Sequence, residues 1–90
     1  MSRRRRAGES LLMPRYHIHL YDELDLFDIE GRELPDLESA AEIALQNARA
    51  LAAQQVIRGT LNLRHRVDIT DDEGALMRSI PLGQAVEVVA

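Results

Sequence analysis

The sequence has no cysteine, lysine or tryptophan, and aromatic residues fill only 3% of its 90 positions. Without cysteine the chain forms no disulfide, thiol nucleophile or thiolate metal site. Without lysine it has no phosphate-loop lysine, Schiff base or lysine general base. It also lacks a serine nucleophile elbow and a glycine-rich phosphate loop. These absences exclude several large enzyme classes, and we expect no catalytic residues, no cofactor and no small-molecule substrate.

Charge is unevenly distributed along the chain. Residues 1–12 carry four arginines against one glutamate, whereas the rest carries seven arginines and 14 acidic residues, a net charge of −7. We expect residues 1–12 to be a disordered basic tail and residues 13–90 to be one domain. Met1 and Met13 are both candidate start residues. The tail lacks the apolar stretch of an export signal and no segment is suited to span a membrane, so we expect a cytoplasmic protein.

The first half of the domain predicts two strands and a helix. Alternation over Arg15–Tyr21 predicts a strand with two faces, Tyr16, Ile18 and Leu20 on one and His17, His19 and Tyr21 on the other. The run from Leu26 to Ile29 predicts a short second strand before a turn at Gly31.

The most regular pattern predicts a helix from Leu37 to Ile57. Its apolar stripe comprises Leu37, Ala41, Ala44, Leu45, Ala48, Leu51, Ala52 and Val56. Asp36 is one candidate cap, and Ser39 with Glu42 is another, one turn later. Gly59 is suited to end the helix.

The second half predicts a hairpin and a short final element. Alternation from residue 63 places Leu63, His65, Val67 and Ile69 towards the helix and Arg64, Arg66, Asp68 and Thr70 away from it. Residues 71–74 predict a turn, and residues 75–80 a fourth strand. Residues 85–89 fit either a helical turn or an edge strand. We therefore expect a two-layer α+β domain, with one amphipathic helix packed on a mainly antiparallel four-stranded sheet in the chain order β-β-α-β-β.

Three segments resemble a known family when taken together and in order. They are MPRYHIHL from Met13, DIEGRELPDLESA from Asp28 and VDITDDEGALMRSIP from Val67. Over residues 13–88 the chain resembles short bacterial proteins, of alphaproteobacterial type, known as the domain of unknown function 6894 family. At His17 that family more often has an aromatic residue. The family has no assigned activity, so the resemblance implies no site residues.

Metal binding is weakly indicated. His17 and His19 project from one strand face, and a third ligand would have to come from Asp68 or His65. His65 is predicted to face the other way, so the three histidines do not share one site. The acidic turns ending in Gly31 and Gly74 do not fit a calcium loop, because apolar residues fall at the first and twelfth positions. We therefore expect no bound metal.

Two kinds of binding remain. The face without the helix would carry His17, His19, Tyr21, Arg64 and Arg66, a mixture of rings and cations found in readers of single-stranded RNA. The arginine tail would add affinity for nucleic acid by charge alone. Against this, the domain is acidic and this face has one aromatic residue, Tyr21. We prefer a protein-interaction or regulatory module that self-associates or binds another protein through this face, with the acidic segment Asp22–Glu42 attracting a basic partner. Nucleic-acid binding is the alternative.

Overall fold

The computed structural model describes residues 13–90, and the predicted basic tail lies outside the described residues. These residues form the elements β1 Arg15–Tyr21, β2 Arg32–Glu33, α1 Leu37–Ile57, β3 Arg66–Asp71, β4 Leu76–Pro81 and α2 Leu82–Ala85. The strands form one antiparallel sheet in the order β2-β1-β3-β4. Since α1 packs on one face of this sheet, the predicted two-layer α+β fold is confirmed.

The core lies between the central strands and a helix face rich in alanine. Val67 and Ile69 of β3 are fully buried, and Tyr16 and Ile18 of β1 lie beside them. The helix contributes Ala40, Ala44, Ala48, Leu51 and Ala52. Because alanine has only a methyl side chain, the helix backbone comes close to the sheet while the larger side chains fill the space between the layers.

The helix begins and ends where the sequence predicts. Of the two candidate starts, Asp36 is the cap: its carboxylate accepts hydrogen bonds from the Ser39 amide at 2.9 Å and the Ser39 hydroxyl at 2.8 Å. Gly59 follows the helix with φ +95°. The prediction that Val56 faces the sheet is wrong, because its side chain is 58% exposed.

Gln55 is buried in place of Val56. Its Oε1 accepts the Asn62 N–H at 2.8 Å, and its Nε2 donates to His65 Nδ1 at 2.8 Å. A buried amide costs little free energy once it is fully hydrogen-bonded. The apolar pattern of the helix cannot reveal these partners, because they lie in the following loop.

The predicted second strand is wrong. Residues 26–29 form no strand, apart from one isolated bridge that pairs Leu20 with Leu26. The chain next pairs with β1 at β2, where Arg32 lies opposite Tyr16. Between the paired positions Tyr16 and Leu20, β1 has three residues. Between their partners Leu26 and Arg32, the facing segment has five, so two extra residues bulge out there.

An aspartate side chain explains the interruption. The N–H of Ile18 in β1 points at the facing segment, where a second strand would offer a carbonyl. It donates instead to Asp28 Oδ2 at 3.1 Å. Because a carboxylate satisfies this donor, the backbone of residues 27–31 can leave the sheet without an unpaired N–H on β1.

The hairpin is confirmed with shifted bounds. β3 begins at Arg66, so the first part of the predicted strand, including Leu63, lies in the preceding turn. The turn at residues 71–74 is as predicted, with Asp71 Oδ1 accepting the amides of Glu73 and Ala75. The short helix α2 lies before residues 86–90, which form neither a helix nor a strand. Within residues 13–90, no helix has the length and apolarity needed to cross a membrane.

Candidate interaction surface

The sheet face opposite the helix carries a cluster of rings. Period-two geometry in β1 places His17, His19 and Tyr21 on this face, and Phe27 of the following loop packs against them. We call these four side chains the ring cluster. The rings of His19 and Phe27 are 5.8 Å apart and those of Tyr21 and Phe27 are 5.7 Å apart, both edge to face. The guanidinium of Arg66 lies 4.3 Å from the centre of the Tyr21 ring, a cation–π distance.

Four of the five predicted site residues therefore lie together, and Arg64 does not join them. It is exposed in the turn before β3, where its amide donates to Asn62 Oδ1 at 2.9 Å. The prediction that Arg64 lies on the outer face of a strand is wrong, because the turn held by Asn62 delays the start of β3 to Arg66.

Phe27 is the ring that sequence reasoning missed. Its position in a predicted strand hid its contact with Tyr21 and His19. The sequence does contain features that could have identified Phe27 as a site residue. It is the only phenylalanine in the chain, and it lies between acidic residues where apolar and polar positions do not alternate regularly.

The segment between β1 and β2, residues 22–31, presents apolar side chains to solvent. We call it the apolar loop. The exposed fractions of its large apolar residues are Leu24 77%, Leu26 61%, Phe27 60% and Ile29 85%. Among them lie five acidic residues and no basic one. The loop is thus both apolar and acidic on its outer surface.

Asp28 fixes this loop to β1 through all of its polar groups. Its two carboxylate oxygens accept the amides of Ile18 at 3.1 Å and Gly31 at 3.0 Å. Its own N–H donates to His19 Nδ1 at 3.0 Å, and its carbonyl accepts from His17 Nδ1 at 2.8 Å. Burial favours a higher pKa for this carboxyl, but the Gly31 and Ile18 amides outweigh it, so the pKa of Asp28 is lowered.

His17 has an oxygen acceptor at both ring nitrogens. Nδ1 donates to the Asp28 carbonyl, and Nε2 donates to Asp72 Oδ1 at 2.8 Å. A carbonyl and a carboxylate only accept, so the arrangement fits the imidazolium form, in which both nitrogens carry protons. Burial works against the charged form, but the hydrogen bonds to Asp72 and Asp28 outweigh burial and raise the pKa of His17 above its ordinary value.

His19 accepts a hydrogen bond at one of its ring nitrogens. Its Nδ1 accepts the amide of Asp28, so the proton is on Nε2, which lies 3.0 Å from Thr70 Oγ1. The rings of His17 and His19 are nearly parallel, at 7°, with centres 6.2 Å apart. Two histidines that look equivalent in sequence therefore differ in their hydrogen bonding.

Asp68 lies near the middle of the same face and is buried. Its Oδ1 accepts from the Ser79 hydroxyl at 2.5 Å, and both carboxylate oxygens lie 3.2 Å from Arg66 Nε. These bonds compensate the carboxylate for its lost water and orient Arg66 towards Tyr21. Asp68 thus supports the face and does not join the histidines as a ligand.

A separate groove of about 600 Å³ lies at the C-terminal end of the helix. Its lining includes Arg58, Arg64, Asp22 and Glu23, together with the hydrogen-bonded group of Gln55, Asn62 and His65. Charges of both signs line it, and the buried amide of Gln55 is fully bonded within the protein. His65 lines this groove and therefore lies apart from His17 and His19, as the sequence predicts.

In the described part of the chain, no arrangement of side chains supports metal binding. Within residues 13–90, no group of three or more histidine, aspartate or glutamate side chains is placed to hold a metal ion. The ring nitrogens of His17 and His19 are already hydrogen-bonded to Asp28, Asp72 and Thr70.

One comparison with known proteins gives a match. A family model described as a domain of unknown function (DUF6894) matches residues 15–83. The matched span runs from the start of β1 into α2, so it includes the ring cluster and the apolar loop. No curated protein and no solved structure matches the chain.

Proposed function

The chain belongs to the DUF6894 family, a domain of unknown function, and we propose that it is a non-catalytic cytoplasmic module that binds a protein partner through the apolar loop. The observation that carries this proposal is the exposure of Leu24, Leu26, Phe27 and Ile29 on a loop that is hydrogen-bonded into place. Contiguous apolar surface on a soluble domain commonly marks a binding site.

The fixed backbone of the loop supports the proposal. A loop ordered before binding loses little conformational entropy when its partner arrives, so more of the contact energy appears as affinity. Asp28 provides this order, since its carboxylate and both of its backbone groups bond to β1 or to Gly31.

The charge of the loop indicates the chemistry of the partner. Glu23, Asp25 and Glu30 are exposed beside the apolar side chains. They favour a segment that carries arginine or lysine together with apolar residues, because opposite charges speed association and exclude acidic competitors. The proposed occupant is therefore a cationic, amphipathic segment of another protein.

The hydrogen bonding of the histidines supports a non-catalytic role. His17 and Asp72 resemble a base and its orienting carboxylate, but the other nitrogen of His17 is bonded to the Asp28 carbonyl. A general base needs a nitrogen that can accept the substrate proton, and neither ring nitrogen of His17 is available for this.

Self-association by sheet extension is less suited to this chain than a loop contact. The edge strands are β2, which has only two residues, and β4, whose pairing with β3 is interrupted by a register shift between Ile69 and Thr70. β4 also ends in Pro81, which has no N–H to donate. Bulges and prolines hinder pairing between sheet edges. A second copy of this chain is an outcome of the test below.

Nucleic-acid binding is the second candidate, and Phe27 is the observation that favours it. This residue gives the open face a second aromatic side chain beside Tyr21. The rings, however, pack against one another, and Arg66 lies over Tyr21. The five acidic residues of the adjacent apolar loop also repel phosphates.

The test uses the full, isotope-labelled chain and two peptides of equal charge, one alternating arginine with leucine and the other alternating arginine with serine. We expect amide shifts in residues 23–31 with the leucine peptide and at least tenfold weaker binding of the serine peptide. The variant Phe27→Ser with Ile29→Ser is expected to weaken binding of the leucine peptide about tenfold or more, because a tenfold change is only 1.4 kcal/mol, less than a buried large apolar side chain contributes.

The matched control replaces two exposed valines outside the loop, Val88→Ser with Val89→Ser, and is expected to bind as the parent chain does. Equal binding of both peptides, or shifts away from residues 23–31, contradicts the proposal. Concentration-dependent shifts in the loop without peptide identify a second copy as the occupant. Shifts at the ring cluster with a short RNA mixture at low salt, and none with the peptides, favour nucleic acid instead.

A further inference from the structure

A side chain of β1, His17, joins the apolar loop to the β3–β4 turn. His17 reaches the loop at the Asp28 carbonyl and the turn at Asp72 Oδ1, both at 2.8 Å. Only 12% of its side chain is exposed. These two segments are far apart in sequence, and β1 lies between the loop and β3 in the sheet.

The two hydrogen bonds can form together only when both ring nitrogens of His17 carry a proton. A neutral imidazole has one N–H, and its other nitrogen carries a lone pair. In the neutral state one of the two nitrogens would present a lone pair to an oxygen only 2.8 Å away, which is repulsive. Losing one proton therefore breaks the connection between loop and turn, whichever bond is lost.

The charged surroundings of His17 come from every element packed around it. Asp28 of the apolar loop and Asp72 of the turn are bonded to its ring, and the neighbouring titratable groups are Arg15 and His19 of β1, Glu30 of the loop, Glu33 of β2 and Asp68 of β3. Of these, Arg15 is paired with Glu33 at 3.4 Å, Asp68 is paired with Arg66 at 3.2 Å, and His19 Nδ1 accepts the Asp28 amide. The carboxylates of Asp28 and Asp72 are therefore the charges that stabilise the imidazolium.

Space around the ring also restricts it to this position. A Cβ on Gly31 would lie 2.7 Å from His17 Cε1 and 2.8 Å from Nε2. Glycine thus leaves room for the ring between the two oxygens, at φ +73°, a conformation that glycine adopts readily.

We propose that His17 is a pH-sensitive link that holds the apolar loop to the β3–β4 turn when protonated and releases one of them when it becomes neutral. This rests on the proposed function, since the loop it controls is the proposed docking surface. A change of pH across the His17 midpoint would then alter the order of that surface, and with it the affinity for a partner.

The link is tested on the full chain without any partner, by nuclear magnetic resonance of the histidine rings and backbone amides over pH 5–9. We expect both His17 ring nitrogens to be protonated at pH 6, while His19 Nδ1 is not. The amides of Asp28–Gly31 and of Asp72–Gly74 are expected to shift with the same midpoint as the His17 ring. A bare His17 nitrogen at pH 6, or different midpoints for the two segments, overturns the proposal.

Two variants in the β3–β4 turn distinguish the proposed link from a general effect of removing a negative charge. Asp72→Asn is expected to lower the His17 midpoint and to remove the shared transition of loop and turn. Glu73→Gln removes the same charge one residue away and is expected to leave both unchanged. Equal effects of the two variants overturn the proposal.

The two proposals fail separately. The ring and amide measurements contain no peptide, so they hold or fail whether or not the loop binds anything. If the leucine peptide binds, its affinity for the parent chain is expected to change with pH, with the same midpoint as the His17 ring. In Asp72→Asn this pH dependence of the affinity is expected to be absent.

Discussion

Replacing Gly31 by alanine tests the placement of the His17 ring most directly. Gly31 has φ +73°, and a left-handed conformation costs a non-glycine residue about 1–2 kcal/mol. In addition, the new Cβ would lie 2.7 Å from the His17 ring. The ring must move by several tenths of an ångström, and this stretches two hydrogen bonds that are each 2.8 Å long.

The size of the effect follows from these contacts. A hydrogen bond involving a charged group contributes about 1.5–3 kcal/mol, and the lower end applies here because Asp72 is 45% exposed. Losing one such bond and adding the backbone cost gives about 3 kcal/mol or somewhat more for Gly31→Ala. A domain of 90 residues has roughly 5–13 kcal/mol of stability, so the variant still folds and can be measured.

The chain supplies a matched control. Gly74 has φ +86° and nothing within 4 Å of an added Cβ, so Gly74→Ala carries the backbone cost alone, about 1–2 kcal/mol. Urea denaturation followed by circular dichroism measures both variants. We expect Gly31→Ala to be the less stable by at least 1 kcal/mol. In a His17→Ala background this excess is expected to fall to the part that comes from Arg15 Cγ, which would lie 2.9 Å from the new Cβ. Equal losses for the two glycine variants in the parent chain would refute the reasoning.

Three further predictions concern the same elements. The raised pKa of His17 adds stability that is complete below its unfolded-state pKa of about 6.5 and is lost as pH rises through its folded-state pKa. The lowered pKa of Asp28 adds stability that is complete above its unfolded-state pKa of about 3.9 and is lost as pH falls through its folded-state pKa. Their joint contribution is thus greatest between about pH 4 and 6.5, and urea midpoints that rise steadily from pH 6 to 9 would contradict this. Asp28→Asn leaves one oxygen for the amides of Ile18 and Gly31, and is expected to cost about 1–3 kcal/mol and to speed hydrogen exchange in the loop. Asp36→Ala is expected to lower the thermal midpoint more than Asp36→Asn, because asparagine also caps helices; equal midpoints would contradict the assigned cap.

The helix and the hairpin were predictable because their determinants are local. Alanines at three- and four-residue spacing, with Asp36 before them, specify a helix without reference to the rest of the chain. The turn at residues 71–74 likewise depends on Asp71 and on Gly74 at φ +86°. Alternation in β1 was sufficient to place His17, His19 and Tyr21 on one face, and this part of the candidate site was predictable for the same reason.

The loop was not predictable, because its determinants are distant contacts. The apolar run at residues 26–29 predicts a strand, but a strand needs backbone partners, and Asp28 supplies a side chain in their place. Arg64 was misplaced because Asn62 caps the turn before β3. The different hydrogen bonding of His17 and His19 depends on which atoms of Asp28 face each ring, an arrangement that no local pattern reveals.

The position of Asp28 links the fold of this domain to its proposed role. Had residues 26–29 continued the sheet, alternation would have turned about half of their apolar side chains towards the helix layer. Instead the Asp28 carboxylate takes over one strand contact, the backbone bulges by two residues, and the apolar side chains of the loop remain in solvent. A chain of this size gives up apolar burial by this arrangement, at about 25 cal/mol for each Å² left exposed. Binding of a partner to the loop would recover that energy, and this is the physical reason to look for the function there.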